Sequence, residues 1–191
     1  MDFHTLCIGC RTYRRFRQKQ IPEEILDELL ENARIANSAM NGQPRRYVLV
    51  KNPEAVRKIQ SCFHFAAALP KELGQPKEGE QPAAFIILCT EGRETPWTGI
   101  DIGIAVRTMN LNAYIYGVGS CIIGNVEFEK VKEILSVPET WIPRLALALG
   151  YPSHKSSLVE LPEDGSVKYY LDEERQYYVP KRKRKDISII R

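Results

Sequence analysis

Apolar residues recur at helical spacing in the first third of the chain. Between residues 22 and 36 they fall on one face, while charged residues occupy the other. The positions on the apolar face are Ile25, Leu26, Leu29, Leu30 and Ala33. Pro22 suits the first helical position, and the acidic Glu23 and Glu24 favour the positive end of the helix dipole. The pattern predicts an amphipathic helix over residues 22–36.

A second helix is predicted over residues 98–116, and its pattern is different. Its apolar positions nearly encircle the axis: Ile100, Ile102, Ile104, Val106, Met109, Leu111, Ile115 and Tyr116. Thr98 is the expected N-terminal cap, and Gly117 is expected to end the helix. A helix that is apolar on most sides must be covered by a core or by a partner subunit.

Shorter apolar runs predict the remaining elements. Strands are expected at 47–50, 84–89, 117–123 and 145–149, and short helices at 128–135 and after the Asn52-Pro53-Glu54 start signal. The polar, Gly- and Pro-containing segments 37–45 and 70–82 are expected to be loops. Residues 152–179 are polar and rich in Tyr, which predicts an extended tail lying over the body or over a neighbouring chain.

The composition is that of a globular protein, with 43% hydrophobic and 27% charged residues. No apolar run is long enough to cross a membrane, and the start resembles no signal peptide, so a cytoplasmic protein is expected. Five scattered cysteines argue for a reducing compartment. Cys7 and Cys10 could form a redox pair or half a metal site, but two free thiols on one helix face is the favoured interpretation. No metal site is expected.

Basic residues are concentrated at the two ends, although the net charge is only +3. Arg11, Arg14 and Arg15 lie near the start, and the unbroken basic run 181–185 lies near the end. Such clusters require two anionic partners, or one that both reach. The glycines at 117, 119 and 124 follow a helix and open a strand, an order that excludes the dinucleotide-binding fingerprint.

Four segments in this order resemble the FMN-dependent nitroreductase family. Arg11-Thr12-Tyr13-Arg14-Arg15-Phe16 is similar to its R-S-x-R-x-F segment, and residues 37–44, NSAMNGQP, to its P-S-x-x-N-x-Q-P loop. The helix that ends before Gly117-Val118-Gly119-Ser120 resembles its central helix and G-L-G-S turn. Val179-Pro180-Lys181-Arg182 resembles its C-terminal P-K-R segment. The resemblance spans residues 11 to about 187.

The resemblance implies an α+β, nitroreductase-like fold: a central, mostly antiparallel sheet flanked by helices. Residues 1–191 would form one FMN-binding domain, in which the extended tail 152–191 carries part of the phosphate site. The implied activity is a ping-pong hydride reaction in which NAD(P)H is oxidised and a nitroaromatic, quinone or similar acceptor is reduced. The cofactor carries the chemistry, so no catalytic side chain is expected. A homodimer with FMN at the interface is also implied.

The resemblance assigns the cofactor site residue by residue. Arg11, Thr12, Lys181 and Arg182 would surround the phosphate, and Arg14 would lie near the flavin pyrimidine edge. The loop residues Ser38, Ala39, Met40, Asn41 and Gln43 would meet the ring, and the backbone at Ile123 and Gly124 would face flavin N5. Three positions depart from the family pattern: Cys10 replaces an Arg, Asn37 a Pro, and Arg45 an aromatic residue that would line the pocket.

Two alternatives stay open at this point. A flavoprotein of the same fold could catalyse another reaction, such as reductive dehalogenation or flavin fragmentation. The basic run 181–185 could instead bind nucleic acid or an acidic partner, with an affinity that falls steeply with salt.

Overall fold

The structure is a computed structural model that describes all 191 residues. Six α-helices occur, and their bounds are α1 Phe3–Gly9, α2 Glu23–Ile35, α3 Pro53–Ile59, α4 Lys71–Gly74, α5 Thr98–Ile115 and α6 Phe128–Leu135. Eight strands accompany them: β1 Phe16–Arg17, β2 Arg45–Val50, β3 Ala84–Thr90, β4 Gly119–Ile123, β5 Ile142–Pro152, β6 Ser156–Glu160, β7 Tyr170–Leu171 and β8 Tyr177–Lys181. The helices and strands predicted before residue 152 are all present.

The main sheet has the order β1-β5-β3-β2, and β4 also pairs with β5. All of its pairings are antiparallel, as the resemblance implied. Every residue of β3 is buried, which explains its uninterrupted apolar sequence. Ile86 and Leu88 belong to the core cluster shared with α2 and α5, whereas Phe85 and Ile87 belong to the cluster shared with α3 and α6. The sheet is therefore covered by helices on both faces.

Helix α5 follows the prediction except at its start. Trp97 occupies the N-cap position and makes no side-chain capping bond, whereas Thr98 lies inside the helix. The Thr98 hydroxyl accepts a hydrogen bond from the Thr95 backbone N–H at 2.9 Å, so it organises the preceding turn and does not cap the helix. Gly117 has a φ of +70°, which ends the helix in the conformation that favours glycine.

One side of α5 is left uncovered by the chain. Trp97 at its start and Ile100, Ile104 and Ile115 along it are each exposed by 38–57%. These four residues, referred to below as the outer stripe, recur at spacings close to one or more helical turns. Exposed apolar residues that share one helix face are a feature of association surfaces.

The tail is more ordered than expected. Strands β6, β8 and β7 form a separate three-stranded sheet, in which β6 pairs parallel with β8. This sheet is attached to the N-terminal segment, because the Arg15 side chain donates to the Arg175 carbonyl. It is also attached to the segment 70–82, because Arg175 forms an ion pair with Glu80 at 2.9 Å. Tyr177 is 1% exposed, so the tail contributes to the interior.

The segment 70–82 was expected to be a loop, and most of it is. It also contains the one-turn helix α4. A Cβ at Gly74 in this helix would lie 2.9 Å from the Cβ of Ala66, so the turn packs closely against the chain before it. No helix has the length and apolar character needed to span a membrane.

Candidate functional site

The N-terminal basic segment lies beside the edge of the main sheet. Thr12 forms a parallel bridge with Ser120 of β4, and the Tyr13 N–H donates to the Ser120 carbonyl at 2.9 Å. This pairing fixes the backbone of residues 11–13 between β4 and α5. A cavity of about 200 Å³ opens there, lined by Cys10, Arg11, Thr12, Arg107, Asn110, Ser120 and Ile122. We call it the arginine cavity.

The arginine cavity contains two guanidinium groups and no carboxylate. The Arg11 side chain donates to the Cys7 carbonyl, and its Nε is buried without a hydrogen-bond partner. Neither Arg11 nor Arg107 takes part in any of the ion pairs of the chain. A partly buried cation without a counter-charge is costly, so an anion from outside the chain is the natural partner.

Neutral groups complete the lining. Arg107 donates to the Asn110 side-chain oxygen and approaches the Cys10 Sγ at 3.5 Å, and the Asn110 amide donates to the Ser120 hydroxyl. Burial raises the pKa of the Cys10 thiol, more than the adjacent guanidinium lowers it, so the thiol is protonated at neutral pH. The cavity therefore has a net positive charge and several hydroxyl or amide groups.

This donor set fits a phosphate monoester. Guanidinium groups bind phosphate oxygens with charge-assisted hydrogen bonds, and the Thr12 and Ser120 hydroxyls add neutral donors. The volume is below the range of about 300–1,000 Å³ that is usual for a whole small-molecule site. The arginine cavity can thus hold the phosphate end of a cofactor such as FMN, and the rest of the cofactor must lie outside it.

A second cavity of about 320 Å³ is lined by Ala39, Met40, Gly42 and Gln43 of the segment 38–43, together with Trp97 and the start of α5. Met40, Asn41 and Gln43 have φ values of +50°, +53° and +48°. Non-glycine residues in this region are strained by about 1–3 kcal/mol each, and such strain concentrates at ligand sites. Met40 is also 91% exposed, so its side chain is free to contact another molecule.

Arg45 holds the strained segment in place. Its buried guanidinium donates to the carbonyls of Ala36, Asn37 and Asp101. On the same segment, the Ala39 N–H donates to the Asp101 carboxylate at 2.9 Å, and the Gln43 N–H donates to the Ser38 hydroxyl at 3.1 Å. The expectation that Arg45 lines the flavin pocket is wrong, because it points inward and bonds the backbone.

Arg14 lies apart from the arginine cavity. Its guanidinium carbon is 4.7 Å from the centre of the Tyr169 ring and 4.8 Å from that of Tyr177, so two residues of the tail hold it by cation–π contacts. The Arg14 Nε is buried without a partner. Arg14 therefore keeps an unsatisfied donor beside the point where the tail joins the main sheet.

The other assigned residues do not line the arginine cavity. The side chain of Ile123 lies in the core, and Gly124 is exposed. A Cβ at Gly124 would only touch Leu145 at 3.5 Å, so the chain itself does not require glycine there. Lys181 is exposed opposite Glu160 in the tail sheet, and Arg182, which follows it, is exposed as well. Neither lines the arginine cavity.

Within one chain, then, the structure brings together Arg11 and Thr12 in one cavity and the loop residues 38–43 in or around another. It adds Arg107, which the sequence motifs did not single out. A signal was present, because Arg107 is the only basic residue of α5. A partly buried charge on such a helix requires a specific partner.

Comparison with known proteins agrees with this geometry. The model of the nitroreductase family matches residues 9–151, which include the arginine cavity, the strained segment and the whole main sheet except its last residue. The chain belongs to the nitroreductase family. The resemblance drawn from the four sequence motifs is thereby confirmed.

Individual nitroreductase-family relatives are distant in sequence. An NADH dehydrogenase of Thermus thermophilus is 29% identical over 184 residues, covering 81% of this chain and 89% of its own. An FMN reductase (NADPH) of Bacillus subtilis is 26% identical, covering 76% of this chain and 64% of its own. A crystal structure of a nitroreductase family protein from Streptococcus pneumoniae has a TM-score of 0.69 at 19% identity, covering 87% of this chain and 99% of its own.

Other relatives of this nitroreductase-family chain have names that denote different reactions. They are a 5,6-dimethylbenzimidazole synthase of Rhodospirillum rubrum, 29% identical over 81% of this chain, and an iodotyrosine deiodinase of Thermotoga neapolitana, 25% identical over 74% of it.

Proposed function

We propose that this chain is an FMN-dependent oxidoreductase that uses NAD(P)H to reduce nitroaromatic, quinone or similar acceptors by a ping-pong hydride mechanism. The observation that carries the proposal is the arginine cavity, in which two guanidinium groups lack a counter-charge on the fold of a family with FMN reductases among its members. A flavin phosphate, with close to two negative charges, supplies the missing charge.

The residues of the chain divide the work of binding. Arg11 and Thr12 hold the phosphate, and Lys181 and Arg182 approach it from a C-terminal segment. The strained segment 38–43 contacts the ring through exposed groups such as Met40. Bound FMN supplies the hydride chemistry, and the protein supplies orientation and electrostatics.

Two further groups influence the ring. Arg14 is a cation whose orientation is set by Tyr169 and Tyr177, and a cation near the pyrimidine edge raises the reduction potential. The open backbone at Gly124 gives the ring close access to the end of β4.

A homodimer is part of the proposal. The residues assigned to one site lie in at least two separate cavities and in the tail of a single chain, so a second copy must complete the site. The outer stripe of α5 offers the surface for it, since Trp97, Ile100, Ile104 and Ile115 are exposed and apolar. Trp97 also lines the cavity of the strained segment, which connects the outer stripe to the site.

The proposal is tested by binding and turnover. Purified chain should bind FMN in a one-to-one ratio, and NADH or NADPH should bleach the bound flavin when air is excluded. Arg11→Ala and Arg182→Ala should each weaken FMN retention. Full retention in both variants would refute the phosphate assignment, and a chain that takes up no FMN would refute the function.

A panel of acceptors separates the reaction classes. Nitroaromatics and quinones are expected to reoxidise the reduced protein. A halogenated phenol belongs in the panel because one relative is named a deiodinase, and reduced flavin with oxygen alone tests flavin fragmentation. Halide release or flavin loss without quinone reduction would assign the chain to those reactions instead.

A further inference from the structure

The arginine cavity contains one cation that neither the motifs nor the family assignment explains. Arg107 lies on α5 close to the buried residues Val106 and Met109 and is itself half-buried. It lines the same cavity as Arg11 and Thr12. We infer that Arg107 is a second guanidinium ligand of the phosphate monoester of FMN, an inference that rests on the proposed function.

The surroundings of Arg107 show that its charge is not used within the chain. Its hydrogen bonds go to a neutral amide oxygen of Asn110 and to the neutral Cys10 thiol at 3.5 Å. No carboxylate lines the cavity, and Arg107 forms no ion pair. A guanidinium with a purely structural role would cost less free energy to bury if a carboxylate balanced its charge.

The contacts of Arg107 also orient it toward the cavity. Asn110 accepts from Arg107 and donates through its amide to Ser120, the residue whose backbone pairs with residues 12 and 13. Arg107 is thus linked through Asn110 and Ser120 to the backbone segment that follows Arg11, and both arginines line the cavity. Cys10, which stands between them, contributes no charge because its buried thiol is protonated. Arg107 thereby provides the second cation that position 10 does not.

Two guanidinium groups around one small cavity favour a dianion over a neutral ligand. Arg107 should therefore act on the phosphate of FMN and not on the ring, and riboflavin, which shares the ring but lacks the phosphate, becomes the internal control. A hydrogen bond to a charged group contributes about 1.5–3 kcal/mol, which corresponds to roughly a 10- to 100-fold change in dissociation constant.

The experiment is a fluorescence titration of the full chain with FMN and with riboflavin. Arg107→Gln removes the charge but keeps a hydrogen-bonding side chain for Asn110, and Arg107→Lys restores a charge without the planar fork. Arg34→Gln is the matched control, since Arg34 is exposed on α2 and paired with Glu31. We expect Arg107→Gln to weaken FMN binding by about 10- to 100-fold, Arg107→Lys by less, and neither to change riboflavin binding.

Three results overturn the inference, and they differ from one another. FMN binding that is unchanged in Arg107→Gln removes Arg107 from the phosphate site and leaves the proposed function intact. If Arg107→Gln weakens the binding of FMN and of riboflavin equally, Arg107 has a purely structural role, and the proposed function is again unaffected. A wild-type chain that binds neither flavin overturns the inference and the proposed function together.

Discussion

His154 provides a quantitative test of the tail's packing against the main sheet. The imidazole is 7% exposed, both ring nitrogens are buried without partners, and its ring centre lies 5.5 Å from that of Tyr13 and 5.0 Å from that of Tyr177. Burial, with repulsion from Arg15 and Arg14, lowers the pKa of His154 from 6.5 to about 4. The folded chain therefore holds this imidazole in its neutral form.

The sign of the pH effect follows from that shift. Between about pH 6.5 and pH 4 the unfolded chain binds a proton at residue 154 and the folded chain does not, so acid favours unfolding. Above the pKa of His154 in the unfolded chain, this residue does not lower the free energy of unfolding. As the pH falls from there toward its pKa in the folded chain, the free energy of unfolding decreases. The difference between these two pKa values lowers the free energy of unfolding by about 2 kcal/mol between pH 7 and pH 5, from His154 alone.

The perturbation is His154→Phe, which keeps an aromatic ring of similar size and removes the titratable nitrogens. At pH 7 its free energy of unfolding should lie within about 1 kcal/mol of the wild type, since the swap nearly conserves volume. Urea unfolding at pH 7 and pH 5 then compares the two proteins. Between pH 7 and pH 5 the free energy of unfolding of the wild type should fall by about 2 kcal/mol more than that of His154→Phe. His4 is exposed, so the control variant His4→Gln should behave like the wild type.

The comparison removes the contribution of every other titrating group, because those groups are common to both proteins. Equal losses in the wild type and His154→Phe between the two pH values would refute the reasoning. They would mean that His154 is solvated or paired in the folded state, and that the tail does not seal this part of the interior.

Three other substitutions test the loop, the subunit surface and the sheet. Arg45→Met should lower the free energy of unfolding by about 2–4 kcal/mol in urea titration, because the three carbonyls that Arg45 binds would lose their hydrogen-bond donor. An unchanged unfolding midpoint would contradict that role. Ile104→Glu places a charge in the outer stripe and should convert a dimer to monomers in sedimentation velocity, whereas a persistent dimer would exclude this face. Gly150→Ala should lower the free energy of unfolding by about 1–3 kcal/mol in thermal unfolding, since the added Cβ would lie 2.8 Å from the Phe16 side chain. A variant as stable as the wild type would show that β1 can shift to make room for the Cβ.

The fold could largely be predicted from local pattern. Helix α2 and strand β3 follow from apolar periodicity and from an unbroken apolar run, and Asn52 caps α3 through its side chain as its sequence suggested. The tail sheet could not be predicted in this way. Its parallel pairing of β6 with β8 joins segments about 20 residues apart, and polar, Tyr-rich strands have no clear alternation between two faces.

The site was predictable in part, for a physical reason. Arg11 and Thr12 belong to a continuous segment whose order along the chain carries information, and the structure places both in the arginine cavity. Arg107 comes from a distant helix, so only the folded chain shows it beside Cys10. Arg45 was misjudged because sequence gives no direction to a side chain at the start of a strand, and here it points into the protein.

Lys181 and Arg182 show the same dependence on tertiary and quaternary structure. Both lie exposed at the end of the tail sheet, and within one chain neither reaches the arginine cavity. Their role in binding phosphate stays a prediction, and it requires either the second copy of a dimer or a shift of the C-terminal segment when the cofactor binds.

The visible absorbance spectrum of the purified chain tests the central claim most directly. The protein is recorded alone, after incubation with FMN and removal of free flavin, and then after anaerobic addition of NADH and of NADPH. The proposed function predicts a retained flavin spectrum, about one FMN per chain, that bleaches with at least one of the two nicotinamides. A protein that stays colourless after incubation with FMN would contradict it.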